Sequence, residues 1–149
     1  MAALKEGSIV HVEIHSGDVE RTKRFYGDVF GWKFQDIPEM NYSLWTAPGE
    51  PAGGLQKHGD KGPMVLDYIY ANNIDATLAK IAASGGRVLS PKSEIQGQGW
   101  WALFQEPGGN VMALYEALRK APPPRRSSAP RKAAGKKAGR KASKGRRKK

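Results

Sequence analysis

The sequence predicts an α+β fold built from two similar halves, each curling a mostly antiparallel sheet over one helix, and three observations carry that expectation. The stretch from Ile9 to Trp32 reads as a strand, a capped helix and a glycine stop in one unit. The same pattern returns 55 positions later, with His11 falling on Leu66, Glu13 on Tyr68, Ile14 on Ile69, His15 on Tyr70, Val19 on Ile74, Thr22 on Thr77, Tyr26 on Ile81 and Gly31 on Gly86. After each copy come three short extended runs separated by glycine and proline turns, so the order strand, helix, strand, strand, strand occurs twice.

Taken in order, Ile9 to Ile14 alternates, placing His11, Glu13 and His15 on one side of a strand and Val10, Val12 and Ile14 on the other. Gly17-Asp18 supplies a turn and an N-cap carboxylate for a helix whose apolar positions Val19, Thr22, Tyr26 and Val29 keep the three-to-four spacing of a buried stripe. Gly31 ends it. Phe25, Phe30 and Trp32 are assigned to packing. The first set of extended runs covers Lys33 to Ile37, Tyr42 to Thr46 and Gly54 to Lys57; the second covers Arg87 to Leu89, Trp100 to Gln105 and Asn110 to Glu116. Pro48-Gly49 and Pro107-Gly108-Gly109 mark turns at comparable places. Gly108-Gly109-Asn110 reads as a tight turn and not a phosphate loop, because no helix start follows it to supply aligned amides.

The net charge of +11 conceals two populations. Residues 1–119 hold 11 Lys and Arg against 14 Asp and Glu, whereas residues 120–149 hold 14 Lys and Arg and no acid. The first stretch has the size and composition of a domain that can bury its own core. The second contains no aliphatic side chain larger than alanine and no aromatic. Too little surface can be buried there to offset the entropy of ordering, so residues 120–149 are expected to be a disordered tail, with Pro122 to Pro124 as a stiff exit. Cysteine is absent, which excludes disulfides, thiol catalysis and thiolate metal sites. No stretch approaches the about 20 apolar residues needed to cross a bilayer, and the N-terminus has no basic region followed by a long apolar run. A soluble, cytoplasmic protein is the expectation.

The segments HVEIHSGDVERTKRFYGDVFGW, YIYANNIDATLAKIAASGGRVLSPKSEI and GWWALFQEPGGNVMALYE, in that order and spacing, resemble the vicinal-oxygen-chelate superfamily, which includes glyoxalase I, extradiol dioxygenases and bleomycin-resistance proteins. The resemblance covers nearly all of residues 8–117. It implies paired βαβββ modules forming a U-shaped sheet around a cavity and, for a small single-domain member, a homodimer. It also implies four positions for a divalent metal. His11 fits the first; the second lies around Gly53 to Leu55, the third on Leu66 and the fourth on Ala113, none of which has a side-chain donor. His58 is close enough for a shifted alignment to recruit it. A six-coordinate ion needs three or four oxygen or imidazole ligands, and one is present, so the inherited site reads as dismantled and no cofactor is expected.

Other uses of the same residues remain open. His11, Glu13 and His15 at alternate positions on one strand face could converge on a different metal. Glu13 or His11 could act as a general acid or base, since a carboxylate enclosed by aromatic rings has its pKa raised. The third reading has His11 and Glu13 lining a cavity and hydrogen-bonding each other or a ligand, with His15 near the rim. Tyr68 and Tyr70 share one predicted face with Leu66, Tyr115 shares that of Ala113, and Trp100 and Trp101 point to opposite faces. Flat rings with polar edges suit a small planar or amphipathic ligand, giving the candidate binding set His11, Glu13, Tyr68, Tyr70, Trp101 and Tyr115. The tail residues Arg131, Lys132, Lys136, Lys137, Arg140, Lys141, Lys144, Arg146 and Arg147, spaced by Ala, Gly and Ser, resemble the tails of linker histones and of some bacterial nucleoid proteins. They imply non-specific DNA or RNA binding by phosphate neutralisation, and with it a nucleoid association.

Overall fold

The structure, a computed structural model, describes residues 3–119; the segment 120–149, which carries the tail expectation, lies outside the described residues. The elements are β1 (Ile9–Ser16), α1 (Val19–Phe30), β2 (Lys33–Ile37), a 3-10 turn (Pro38–Met40), β3 (Tyr42–Thr46), β4 (Gly53–Lys57), β5 (Met64–Tyr70), α2 (Ile74–Ala83), β6 (Arg87–Ile95), β7 (Gly99–Gln105) and β8 (Val111–Ala117). All eight strands form one sheet in the order β2-β3-β4-β1-β5-β8-β7-β6. Read outward from the centre, the two halves repeat: β1 pairs with β4 in parallel and β5 with β8 in parallel, while β1 and β5 meet antiparallel. The remaining pairs are antiparallel. The expected α+β architecture of two βαβββ halves is therefore present.

Local chemistry explains the repeat. Asp18 caps α1 by accepting from the Arg21 amide at 3.0 Å, and Asn73, 55 positions later, caps α2 by accepting from the Ala76 amide at 3.0 Å. Gly31 closes α1 in the left-handed region at φ 71, where a side chain would be strained. The main apolar core lies between α2 and the second half of the sheet, where Ala71, Ile74, Leu78, Ala102, Phe104 and Leu114 pack with Ile69, Ile81, Trp100 and Met112. The first half is held differently. Tyr26 stacks on Trp32 with centroids 4.5 Å apart, Trp32 stacks on Trp45 at 4.1 Å, and the Trp45 indole N–H donates to the Gly54 carbonyl at 3.0 Å.

Two expectations need correction. The packing role fits Trp32, but Phe25, Val29 and Phe30 are 54%, 57% and 53% exposed, and α1 has no fully buried residue. The half-buried line of the helix includes Val19, Thr22 and Tyr26, the last of which stacks on Trp32, while Asp28, Val29 and Phe30 face outward. Strand β6 continues from Arg87 to Ile95, past the expected end at Leu89 and through Pro91. It can do so because it is the sheet's edge, where a missing N–H breaks no inner ladder, and its register shifts between Val88 and Ser93. In β1 the polar face is the more enclosed one: Glu13 is buried, whereas Val12 and Ile14 are half-buried.

The turn before β8 is closed by a carboxylate. Glu106 accepts from the amides of Gly108 at 2.6 Å and Asn110 at 2.8 Å, and these bonds hold its carboxyl below the usual range. Those amides are already engaged, in keeping with the tight-turn reading.

Candidate functional site

The inner face of the sheet encloses a cavity of about 730 Å³. The side chains at alternate positions of β1, His11, Glu13 and His15, all reach it, as do Tyr68, Trp101 and Tyr115. Of the candidate set only Tyr70 is not among the lining residues. Its ring stands 6.3 Å from that of Tyr115. Trp100, on the opposite face of β7 from Trp101, packs against the core under α2. His58 is outside the cavity, bonded through Nδ1 to the Gly59 carbonyl.

Glu13 is the centre of the polar wall. It is 8% exposed, and its two oxygens receive four donors. His15 Nε2 reaches Oε1 at 2.6 Å and Gln56 Nε2 reaches the same oxygen at 2.9 Å. The Tyr42 hydroxyl donates to Oε2 at 3.0 Å and the Tyr68 hydroxyl at 3.4 Å. His11 Nε2 lies 2.7 Å from the Tyr42 hydroxyl. Because that hydroxyl gives its one proton to Glu13, its oxygen must accept from His11, which fixes His11 as the Nε2–H tautomer and leaves Nδ1 as the acceptor. The donors thus run in one direction, from His11 through Tyr42 to Glu13.

The environment sets the protonation of the chain. Burial pushes the His11 pKa down against the opposing pull of Glu13, so the imidazole is neutral near physiological pH. Burial and then the Glu13 charge push the phenols of Tyr42 and Tyr68 up, so both remain donors. No buried side-chain polar atom among the described residues lacks a partner.

Tyr42 and Gln56 are site residues that sequence reasoning missed. The available signal was Gly53-Gly54 inside a strand, since glycine there marks a close approach by another group. A Cβ at Gly54 would stand 1.6 Å from the Tyr42 hydroxyl, and one at Gly53 would stand 1.8 Å from the Val12 carbonyl oxygen. The Tyr42 hydroxyl fills the space into which a side chain at position 54 would project. Glu13 pairs with Gly54 on one side and Leu66 on the other, and Tyr68 pairs with Ala113. Of the four positions that the superfamily resemblance marks for a metal, three therefore present hydrocarbon or no side chain, and the first, His11, is bonded to Tyr42. This donor set does not fit a family-type ion. Among the described residues no group of three or more His, Cys, Asp or Glu is arranged to hold one.

Comparison with known proteins gives the following. Residues 8–46 match the family described as bleomycin resistance protein-like N-terminal. A glyoxylase-like domain-containing protein of Didymella fabae is 37% identical over 93 residues, covering 56% of this chain and 73% of that protein. Lactoylglutathione lyase GLX1 of Arabidopsis thaliana is 27% identical over 130 residues, covering 77% of this chain and 45% of the plant protein. The chain spans about half the length of that relative and of one from Mycobacterium bovis, where 48% is covered. Among solved structures, methylmalonyl-CoA epimerase from Mycobacterium tuberculosis matches with a TM-score of 0.56 at 17% identity, covering 82% of this chain and 94% of the epimerase. At that identity the likeness is one of fold.

Proposed function

Because the chain belongs to the vicinal-oxygen-chelate superfamily of glyoxalase-like proteins, we propose that its central cavity binds a small organic ligand, and that it does so without the superfamily's divalent ion. The observation that carries this reading is the Tyr42 hydroxyl. It occupies the space of a side chain at position 54 and bonds His11, the one remaining donor of the four metal positions. A hydrogen-bonded wall of His11, Tyr42, Tyr68, Gln56, His15 and Glu13 then does the orienting that an ion would otherwise do, against an apolar wall that includes Leu66, Trp101 and Leu103. A thermal-shift screen of metabolites and divalent metals tests it, because a ligand that binds only the folded state raises the melting temperature. At least one organic ligand is expected to stabilise the protein in the presence of EDTA. Stabilisation by metals alone would overturn the reading.

A second reading is enzymatic. The chain of donors from His11 through Tyr42 to Glu13 leaves His11 Nδ1 without a partner among the described residues, and supports proton abstraction from a bound ligand by that nitrogen. A metal-dependent reaction of the lyase or dioxygenase type through His11 and Glu13 is the alternative, favoured by the name of the plant relative and opposed by the donor set. Near-stoichiometric metal in protein purified without added ions, lost in His11→Ala, would select that alternative.

The tail supports a further activity. Its 14 Lys and Arg without a single acid support non-specific nucleic-acid binding by counterion release. An electrophoretic shift of duplex DNA is expected for the full chain in low salt, fading steeply as salt rises, and not for a chain ending at Arg119. Equal shifts for both would contradict it.

A further inference from the structure

The cavity has an uneven charge inventory. Among the described residues, its lining carries two carboxylates, Glu13 and Glu94, the neutral amides of Gln56, Gln96 and Gln98, and no lysine or arginine. Glu13 is enclosed, whereas Glu94 is exposed. Lys92, on the same edge strand as Glu94, is turned away into a pair with Glu116 at 2.9 Å and lies 4.6 Å over the Trp100 ring. His11 and His15, the imidazoles of the lining, are bonded to Tyr42 and Glu13. The rest is aromatic or aliphatic: Tyr42, Tyr68, Trp101 and Tyr115 with Leu66, Leu103 and neighbouring apolar side chains.

This inventory selects a ligand class. An anion entering the cavity would lose water, meet no fixed cation among the described residues, and face the carboxylates of Glu13 and Glu94. A neutral aromatic molecule loses little, and a cation gains from the carboxylates and from the faces of the rings. Resting on the ligand-binding reading above, we propose that the cavity is selective for uncharged or cationic aromatic molecules and rejects carboxylated or phosphorylated ones.

The test uses the full chain near neutral pH and physiological salt, with three probes on one scaffold: 2-naphthylmethylamine, 2-naphthylmethanol and 2-naphthoate. Calorimetry gives their affinities, and side-chain NMR of His11, Tyr68 and Trp101 locates binding, which separates the cavity from the basic tail. The amine and the alcohol are expected to perturb these resonances and to bind about tenfold or more tightly than the acid. Gln98→Lys, which adds a cation at the exposed rim, is expected to narrow that gap. Binding of the naphthoate in the cavity as tightly as the amine would overturn the charge selectivity and leave the binding reading standing. Failure of all three probes to perturb the cavity resonances would overturn the aromatic selectivity; the binding reading falls only if, in addition, no organic ligand raises the melting temperature in the presence of EDTA.

Discussion

Tyr42 shows how much one side chain can decide. Its hydroxyl is shared between His11 and Glu13, so Tyr42→Phe leaves the imidazole without its acceptor and removes one of the four donors from a buried carboxylate. The expected loss is about 1–3 kcal/mol, measured by urea unfolding. Gly54→Ala should do similar damage by another route, since the new methyl group displaces the same hydroxyl. An unchanged midpoint for both variants would mean that the network is ornamental. His11 adds a pH dependence whose sign is fixed. Its folded pKa lies below the ordinary 6.5, so as pH falls through that value the unfolded chain takes up a proton that the folded chain resists, and stability drops. His11→Asn should flatten stability against pH in the window just below 6.5, and a wild-type slope retained in that variant would contradict the assignment.

At the scale of elements, the second half of the sheet is joined by Glu116 of β8. Its carboxylate accepts from the Ile74 amide at the start of α2 at 2.8 Å and from Lys92 of β6 at 2.9 Å. Burial alone would raise its pKa, but the hydrogen bonds from Ile74 and Lys92 and the charges of Lys92 and Arg119 outweigh burial and hold it below the ordinary range. Its stabilisation is therefore complete above the ordinary carboxylate value and is lost as pH falls through the folded one. Glu116→Gln is expected to cost about 1–3 kcal/mol at neutral pH and to give a shallower acid limb in unfolding curves. The first half is built more loosely, with the apolar side chains of α1 left at the surface. Phe25, Val29 and Phe30 are more than half exposed, and we propose that the homodimer implied by the superfamily resemblance covers them. Light scattering should give twice the chain mass for the wild type and a monomer for Phe25→Glu combined with Phe30→Glu. A monomeric wild type would contradict it.

For the whole molecule, what was legible in the sequence was whatever local chemistry repeats. Asp18 and Asn73 cap both helices at one offset, and the alternation from His11 to His15 announced a polar face directed at the cavity. Long-range partners were not legible. Tyr42 and Gln56 gain their meaning only because β4 pairs with β1 and β3 with β4, and β6 passes Pro91 only because it lies at an edge. The exposure of Val29 was hidden because a helix with several apolar faces does not say which one an aromatic stack will pull inward. The proposal that joins the scales is that hydrogen bonds around Glu13 organise this cavity in place of an ion. Calorimetric titration of nickel, zinc, manganese and iron(II) into the full chain and into His11→Ala tests it most directly. The expected result is no one-to-one site that depends on His11; a one-to-one site in the wild type that disappears in His11→Ala would contradict the claim.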